Sequence, residues 1–105
     1  MRVVWSSLSY TIYRIEDYYF KDGKLVALLK YSFARKYYNS AKKGTKVPMK
    51  PTEKLYFSNS KLTIWTENGK TIVQTDARWA ETEKQVIESA GYIIEGYKRY
   101  LEEEN

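Results

Sequence analysis

The residues best suited to chemistry lie in a basic segment that runs from Lys30 to Lys54. Eight Lys and Arg lie in this segment against a single acid, Glu53, which gives a local net charge of +7. Tyr37 and Tyr38 lie inside it. Ammonium groups neutralise phosphates, and an aromatic ring offers a flat face on which any base can stack. The pattern therefore predicts a surface that holds single-stranded DNA or RNA.

The candidate nucleic-acid-binding residues are nine basic and aromatic side chains from this segment. They are Lys30, Arg35, Lys36, Tyr37, Tyr38, Lys42, Lys43, Lys46 and Lys50. The chain has 13 Lys and 5 Arg; Lys contacts phosphate as a point charge, whereas bidentate recognition of bases favours Arg. Binding is therefore expected to depend little on base sequence. Two alternatives stay open, because the tyrosines can be sheet-packing residues and the lysines can belong to a solvated loop.

Catalysis is not expected from this composition. The chain has no cysteine and no histidine, which excludes disulfides, thiolate nucleophiles, imidazole bases and nearly all zinc and haem sites. Asp22-Gly23-Lys24 matches the acid-x-Lys part of some metal-dependent nuclease motifs, but a hairpin turn explains it better. We expect no catalytic residue, no metal and no cofactor, and hence a binding protein rather than an enzyme.

Charge is distributed unevenly along the chain. Residues 1–75 carry 14 Lys and Arg against 5 acids, a net charge of +9, whereas residues 76–105 carry 4 against 8, a net charge of −4. This asymmetry predicts a basic surface on one layer of the fold and an acidic surface on the other. The alternative to nucleic-acid binding is a protein-interaction module, either a homodimer through the C-terminal helix or the sheet, or a module that binds an acidic protein.

Up to residue 75 the apolar and β-branched residues alternate with a period of two, which predicts strands. Asp22-Gly23 and Asn68-Gly69 are the dipeptides favoured in two-residue hairpin turns, and Glu67 should face Lys70 across the second turn. Five strands are predicted, over about 3–20, 25–34, 54–57, 62–66 and 71–75. Their order in the sheet is not readable from the sequence. A long basic loop at 39–53 has neither helical nor strand periodicity.

The alternation also predicts which face of the second strand meets the core. The odd-numbered residues from Leu25 to Phe33 are strongly apolar, so the even-numbered face, continued to Tyr38, should be exposed. Pairing Phe20 with Leu25 then places the charged Glu16 on the core face. A one-residue bulge near Glu16 and Asp17 would resolve this conflict. On this interpretation Lys30, Lys36 and Tyr38 share the exposed face.

A single long helix is predicted after Asp76, whose carboxylate is suited to cap the helix N-terminus. The predicted helix covers about 77–102. Its apolar residues recur at steps of three and four and form one stripe, made of Trp79, Val86, Ile87, Ala90, Ile93, Ile94, Tyr97 and Leu101. Gly91 and Gly96 interrupt the helix and predict a bend or the close approach of another backbone.

Together these elements predict an α+β fold in one domain, residues 1–105, with an antiparallel sheet over 1–75 and a helix with an acidic end over 76–105. No apolar run approaches the roughly 20 residues that span a bilayer. The N-terminus lacks the apolar stretch of a signal peptide. We therefore expect no membrane association and a cytoplasmic, intracellular location.

Overall fold

A computed structural model describes residues 1–8, 12–34 and 50–104, with the side chains of residues 100–104 excluded. The described strands are β1 (Arg2–Leu8), β2 (Ile12–Lys21), β3 (Lys24–Ala34), β4 (Glu53–Ser58), β5 (Lys61–Glu67) and β6 (Lys70–Thr71). One helix, α1 (Trp79–Glu104), follows the sheet. The strands are antiparallel and lie in sequence order, β1-β2-β3-β4-β5-β6. The predicted α+β class is confirmed.

Three two-residue turns build most of this sheet, and two of them are the predicted hairpin turns; the third, Asn59-Ser60, joins β4 to β5. Asp22 and Gly23 join β2 to β3, and Asn68 and Gly69 join β5 to β6, all with φ between 52° and 79°. Positive φ at both central residues is the type I′ geometry, whose twist matches that of the flanking strands. Asn-Gly and Asp-Gly adopt it at low cost, so both predicted hairpins are found. Glu67 pairs with Lys70, as predicted.

The number of strands differs slightly from the prediction, six instead of about five. The segment interpreted as one strand over 3–20 contains two, β1 and β2, which pair with each other from Arg2–Tyr19 to Leu8–Tyr13. Residues 9–11, between them, lie outside the described residues. The segment contains no Gly, Pro, Asn or Asp before residue 17, so no turn signal separates the two strands in the sequence.

The bulge lies elsewhere than predicted. Phe20 pairs with Leu25 as expected, but the register then shifts so that Tyr19 pairs with Ala27, which leaves Val26 as the extra residue. The shift moves the core from the odd to the even residues of β3, since Leu25 and Leu28 are buried and Val26 is exposed. The predicted odd core face is therefore wrong beyond Leu25. A bulge near Glu16 is not needed, because the shift pairs that residue with Lys30.

The core lies between one face of the sheet and α1. Its buried sheet residues are Tyr18, Phe20, Leu25, Leu28, Leu55, Phe57, Leu62 and Trp65, and its buried helix residues are Trp79, Val86 and Ala90. Ile87, Ile93 and Ile94 pack against it, so the predicted apolar stripe is correct through Ile94, whereas Tyr97 is exposed. Trp79 contacts Trp65, with ring centres 6.0 Å apart. The side chain of Leu101 lies outside the described residues.

Asp76 lies before the helix and not at its N-cap position, because α1 begins at Trp79. Its Oδ1 accepts a hydrogen bond of 2.8 Å from the backbone N–H of Arg78, and its carbonyl oxygen accepts one of 3.0 Å from the N–H of Trp79. The hydrogen bonds from Arg78 lower the pKa of the Asp76 carboxyl. β6 is shorter than predicted because residues 74–78 turn into the helix. α1 begins and ends two residues later than predicted.

Candidate functional site

The sheet has one face covered by α1 and one face turned away from it, here called the open face. The strand register assigns the residues of the open face, since paired residues share a face and successive residues alternate. They are Arg2, Val4, Ser6, Leu8, Tyr13, Ile15, Asp17, Tyr19, Ala27, Leu29, Tyr31, Phe33, Lys54, Tyr56, Ile64, Thr66 and Thr71. Five of these are aromatic, and all five rings are partly or largely exposed.

A charged cluster holds the carboxylate of the open face in place. Arg2 donates from Nε to Asp17 Oδ1 at 2.9 Å and from Nη2 to Oδ2 at 2.8 Å, and the Tyr19 hydroxyl donates to Oδ2 at 2.9 Å. The Arg2 guanidinium lies 5.5 Å from the centre of the Tyr19 ring. The hydrogen bond from Arg2 outweighs burial and lowers the pKa of Asp17. Asp17 is therefore ionised but neutralised, and at 2% exposure it does not repel an anion on this face.

A trough crosses the open face at β4 and β5. Its volume is about 870 Å³, and its described lining comprises Lys50, Pro51, Thr52, Lys54, Tyr56, Thr66, Asn68 and Gly69. We call it the Lys54 trough. It combines two ammonium groups, hydroxyl and amide groups and one phenol ring, and none of the described residues that line it is acidic. These are groups that bind a phosphate and a base together.

Backbone hydrogen bonds fix the end of the basic loop beside this trough. The Thr52 N–H donates to the carbonyl oxygen of Lys30 at 2.7 Å, and its Oγ1 lies 3.2 Å from the same oxygen. The Asn68 N–H donates to the Thr52 carbonyl at 2.7 Å. Thr52 thus ties the loop end to both β3 and the β5–β6 turn, which holds Lys50 and Pro51 at the rim of the trough.

The described glutamates of the sheet strands lie on the side that faces α1. Glu16, Lys30, Glu53 and Glu67 form one cross-strand row on that side. Glu53 accepts a hydrogen bond of 2.7 Å from Trp65 Nε1 and lies 3.7 Å from Lys30 Nζ. The described carboxylates of the sheet strands other than Asp17 are therefore separated by the sheet from the Lys54 trough.

The predicted site residues are only partly within the structure. Lys50 lines the Lys54 trough. Lys30 lies on the helix side and pairs with Glu53, so its predicted place on the exposed face is wrong. The bulge at Val26 reverses the face of the β3 residues that follow it, up to Ala34. The remaining predicted residues lie outside the described residues; they are Arg35, Lys36, Tyr37, Tyr38, Lys42, Lys43 and Lys46.

Sequence reasoning missed several residues of this surface. Lys54 and Tyr56 were not among the candidates, although they alternate with the buried Leu55 and Phe57 and so share the exposed side of β4. This two-residue period was the available signal. Tyr19 was also missed, although it lies between the buried Tyr18 and Phe20 and is therefore placed on the opposite face by the same two-residue period.

Other observations bear on the kind of site. In the part of the chain that the structure describes, no three acidic side chains lie together as metal ligands would, and no helix has the length and apolarity needed to cross a bilayer. Comparison of the chain with protein-family models, curated proteins and solved structures gives no match.

Proposed function

We propose that the open face and the Lys54 trough bind single-stranded DNA or RNA with little preference for base sequence, and that the protein is not an enzyme. One observation carries the proposal. Aromatic rings and lysines share the sheet face that α1 does not cover, while Glu16, Glu53 and Glu67 lie on the opposite face. A polyanion with flat bases fits the first face and is repelled by the second.

The rings of the open face are spaced for stacking. Tyr19, Ala27 and Tyr56 form one cross-strand row. Tyr19 lies on β2 and Tyr56 on β4, with β3 between them. Their backbones are therefore roughly 9.6 Å apart, which is twice the interstrand spacing. Ala27 is small and leaves the space between the two rings open to a base. A base is roughly 3.4 Å thick, the spacing of stacked bases along a nucleic-acid strand.

Lysines along the open side supply the phosphate contacts. Lys50 and Lys54 lie at the trough. At the opposite end of the β-strands, the turns carry three exposed lysines, Lys21, Lys24 and Lys61. A nucleic-acid strand that runs along the sheet therefore meets cations at both ends. The contribution of Lys36, Lys42, Lys43 and Lys46 to the same surface stays a prediction.

Charge reversal tests the lysines. Lys50→Glu/Lys54→Glu should weaken binding to a labelled single strand at least tenfold at about 50 mM salt, because two phosphate contacts become repulsions. The matched control is Lys84→Glu/Lys98→Glu, which changes the net charge equally at exposed positions on α1. It should change affinity less than threefold. Equal losses for the two variants would show that binding follows net charge and not this face.

Removal of a ring tests the stacking. Tyr56→Leu should lower affinity by about five- to tenfold, since a base–aromatic stack contributes roughly 1 to 3 kcal/mol. Ile64→Ala is the control, because Ile64 pairs with Tyr56 on the same face and is similarly exposed but carries no ring. If both variants bind as tightly as the original chain, the open face is not the site. Single-stranded DNA, single-stranded RNA and duplex DNA are the three ligands to compare.

A further inference from the structure

Among the described strands β1 lies at an edge of the sheet, and its outer backbone groups can be assigned. Met1 and Phe20 exchange hydrogen bonds of 3.0 Å and 2.8 Å, so they form a hydrogen-bonded antiparallel pair. The β1–β2 register continues without a shift to Leu8, and hydrogen-bonded pairs alternate with non-hydrogen-bonded ones. The odd residues of β1 therefore bond to β2. The N–H and C=O groups of Arg2, Val4, Ser6 and Leu8 point outward from the sheet.

Within the described residues, β1 is neither short nor interrupted by a Lys, a Pro or a bulge, the features that commonly prevent edge strands from pairing. Protected edges are short or carry Lys, Pro or a bulge. β6, at the other edge, has two residues and contains Lys70. β1 has seven, and its single charge, Arg2, is held by Asp17. Trp5 is 59% exposed and Val4 53% exposed, which is unusual for large apolar side chains beside an unpaired edge.

The helix extends the apolar surface beside this edge. Val3, Val4, Trp5, Tyr92, Ile93, Gly96 and Tyr97 line a groove of about 490 Å³ between β1 and α1. Tyr92 is 79% exposed. A Cβ at Gly96 would meet nothing within 4 Å, so the packing of this chain does not require glycine there, although glycine costs roughly 1 kcal/mol in a helix. The open space in the groove wall suits the close approach of another molecule.

The helix crosses the sheet and reaches this edge before it ends. It begins with Trp79 packed on Trp65 of β5 and reaches β1 at Tyr97. The seven residues from 98 to 104 add about 10 Å at 1.5 Å per residue, which is roughly two strand spacings. A second sheet that continued past β1 would therefore lie beneath the end of this helix.

We propose that two copies of the chain pair β1 against β1 about a twofold axis at Trp5, which joins their sheets into one of twelve strands. This register pairs Arg2 with Leu8 and Val4 with Ser6 of the second copy, so it uses every outward backbone group and makes about eight hydrogen bonds. No like charges face each other. The interface is self-complementary, as a twofold dimer requires. A second copy fits because, in this antiparallel register, the outward N–H and C=O groups of one β1 strand meet the C=O and N–H groups of the other.

The dimer places both open faces on the same side of the joined sheet, with the two helices antiparallel on the other. Its formation does not depend on nucleic-acid binding, since the open face is not its interface.

Proline on the edge tests the ladder. Val4→Pro removes an N–H that points outward and leaves the bonds to β2 intact, which is where an edge strand tolerates proline. Sedimentation at about 50 μM should give a dimer for the original chain and a monomer for the variant. Ile64→Lys, at an exposed apolar position of the open face, should remain dimeric. A monomeric original chain, or a dimeric Val4→Pro variant, would overturn the proposal.

Cross-linking tests the register without relying on that variant. The chain has no cysteine, so single cysteines report on one position each. Trp5→Cys places two Cα atoms roughly 4.5 Å apart across the axis, within disulfide range. Ser7→Cys, on the same side of β1, leaves them roughly 13 Å apart, too far to bridge. Under mild oxidation Trp5→Cys should form a disulfide dimer and Ser7→Cys should not. Equal cross-linking, or none at Trp5→Cys, would refute this register.

Discussion

Trp65 and Trp79 contact each other in the core but differ in the surroundings of the indole N–H. Trp65 Nε1 donates a hydrogen bond of 2.7 Å to the Glu53 carboxylate. Trp79 Nε1 is buried and has no hydrogen-bond partner among the described residues. The two side chains are 2% and 7% exposed, so they lose the same amount of packing when the indole is reduced to a phenyl ring. Phenylalanine at each position therefore isolates the hydrogen bond.

The magnitudes follow from these contacts. Each replacement removes two ring carbons, which costs about 1.6 kcal/mol at about 0.8 kcal/mol per buried carbon. Trp65→Phe also leaves the carboxylate without its donor, which adds about 1.5 kcal/mol, the lower end for a bond to a charged group because Glu53 keeps Lys30 nearby. Trp79→Phe instead removes an unpaired buried donor, which offsets about 1 kcal/mol. We expect Trp65→Phe to lower the free energy of unfolding by about 3 kcal/mol and Trp79→Phe to lower it by about 1 kcal/mol or less.

Urea denaturation followed by far-UV circular dichroism measures both free energies of unfolding. The slope of the free energy against urea should be unchanged, so that the midpoints report stability. The double variant Trp65→Phe/Glu53→Ala should recover about 1 kcal/mol relative to the sum of the single changes, since they remove the same bond. Costs within about 0.5 kcal/mol of each other for the two tryptophan variants would refute the reasoning.

Two further predictions concern the turns and the charged cluster. Ser60 adopts φ 64° in the β4–β5 turn, where glycine is unstrained, so Ser60→Gly should raise the free energy of unfolding by about 0.5 to 1 kcal/mol in urea denaturation; a loss of stability would contradict the turn assignment. The pKa of Asp17 is lowered in the folded chain by Arg2, so its stabilising effect is complete above the unfolded pKa of about 3.9 and is lost as pH falls through the folded value. The urea midpoint should therefore fall as the pH is lowered below about 4, and Arg2→Met should flatten that fall. An unchanged pH dependence in Arg2→Met would contradict the pairing.

Local signals in the sequence predicted the local parts of the fold. Asp22-Gly23 and Asn68-Gly69 specify type I′ turns through their own backbone preferences, and the Asp76 carboxylate accepts a hydrogen bond from a backbone N–H two residues along, in the turn that leads into the helix. These features depend on neighbouring residues alone. The sequence therefore carried them without any knowledge of packing.

Features that depend on distant contacts were not predictable in the same way. The bulge at Val26 brings Leu28 into the core. The position of the bulge depends on the packing of the whole core and not on the residues of β3 alone. The face of Lys30 was wrong for the same reason. The predicted site residues from 35 to 46 lie outside the described residues, so that site stays a prediction. In the described residues a lysine and an exposed tyrosine share one side of a strand at Lys54 and Tyr56, which were not among the candidates.

The most direct test of the proposed function is the salt dependence of binding to a labelled single strand, followed by fluorescence anisotropy. Contacts from about four lysines predict that affinity falls about 50-fold between about 50 mM and about 200 mM salt, and that Lys50→Glu/Lys54→Glu halves the logarithmic slope. The Lys84→Glu/Lys98→Glu control should keep the slope of the original chain. Absence of binding at the lower salt concentration, or the same slope in all three proteins, would contradict the account.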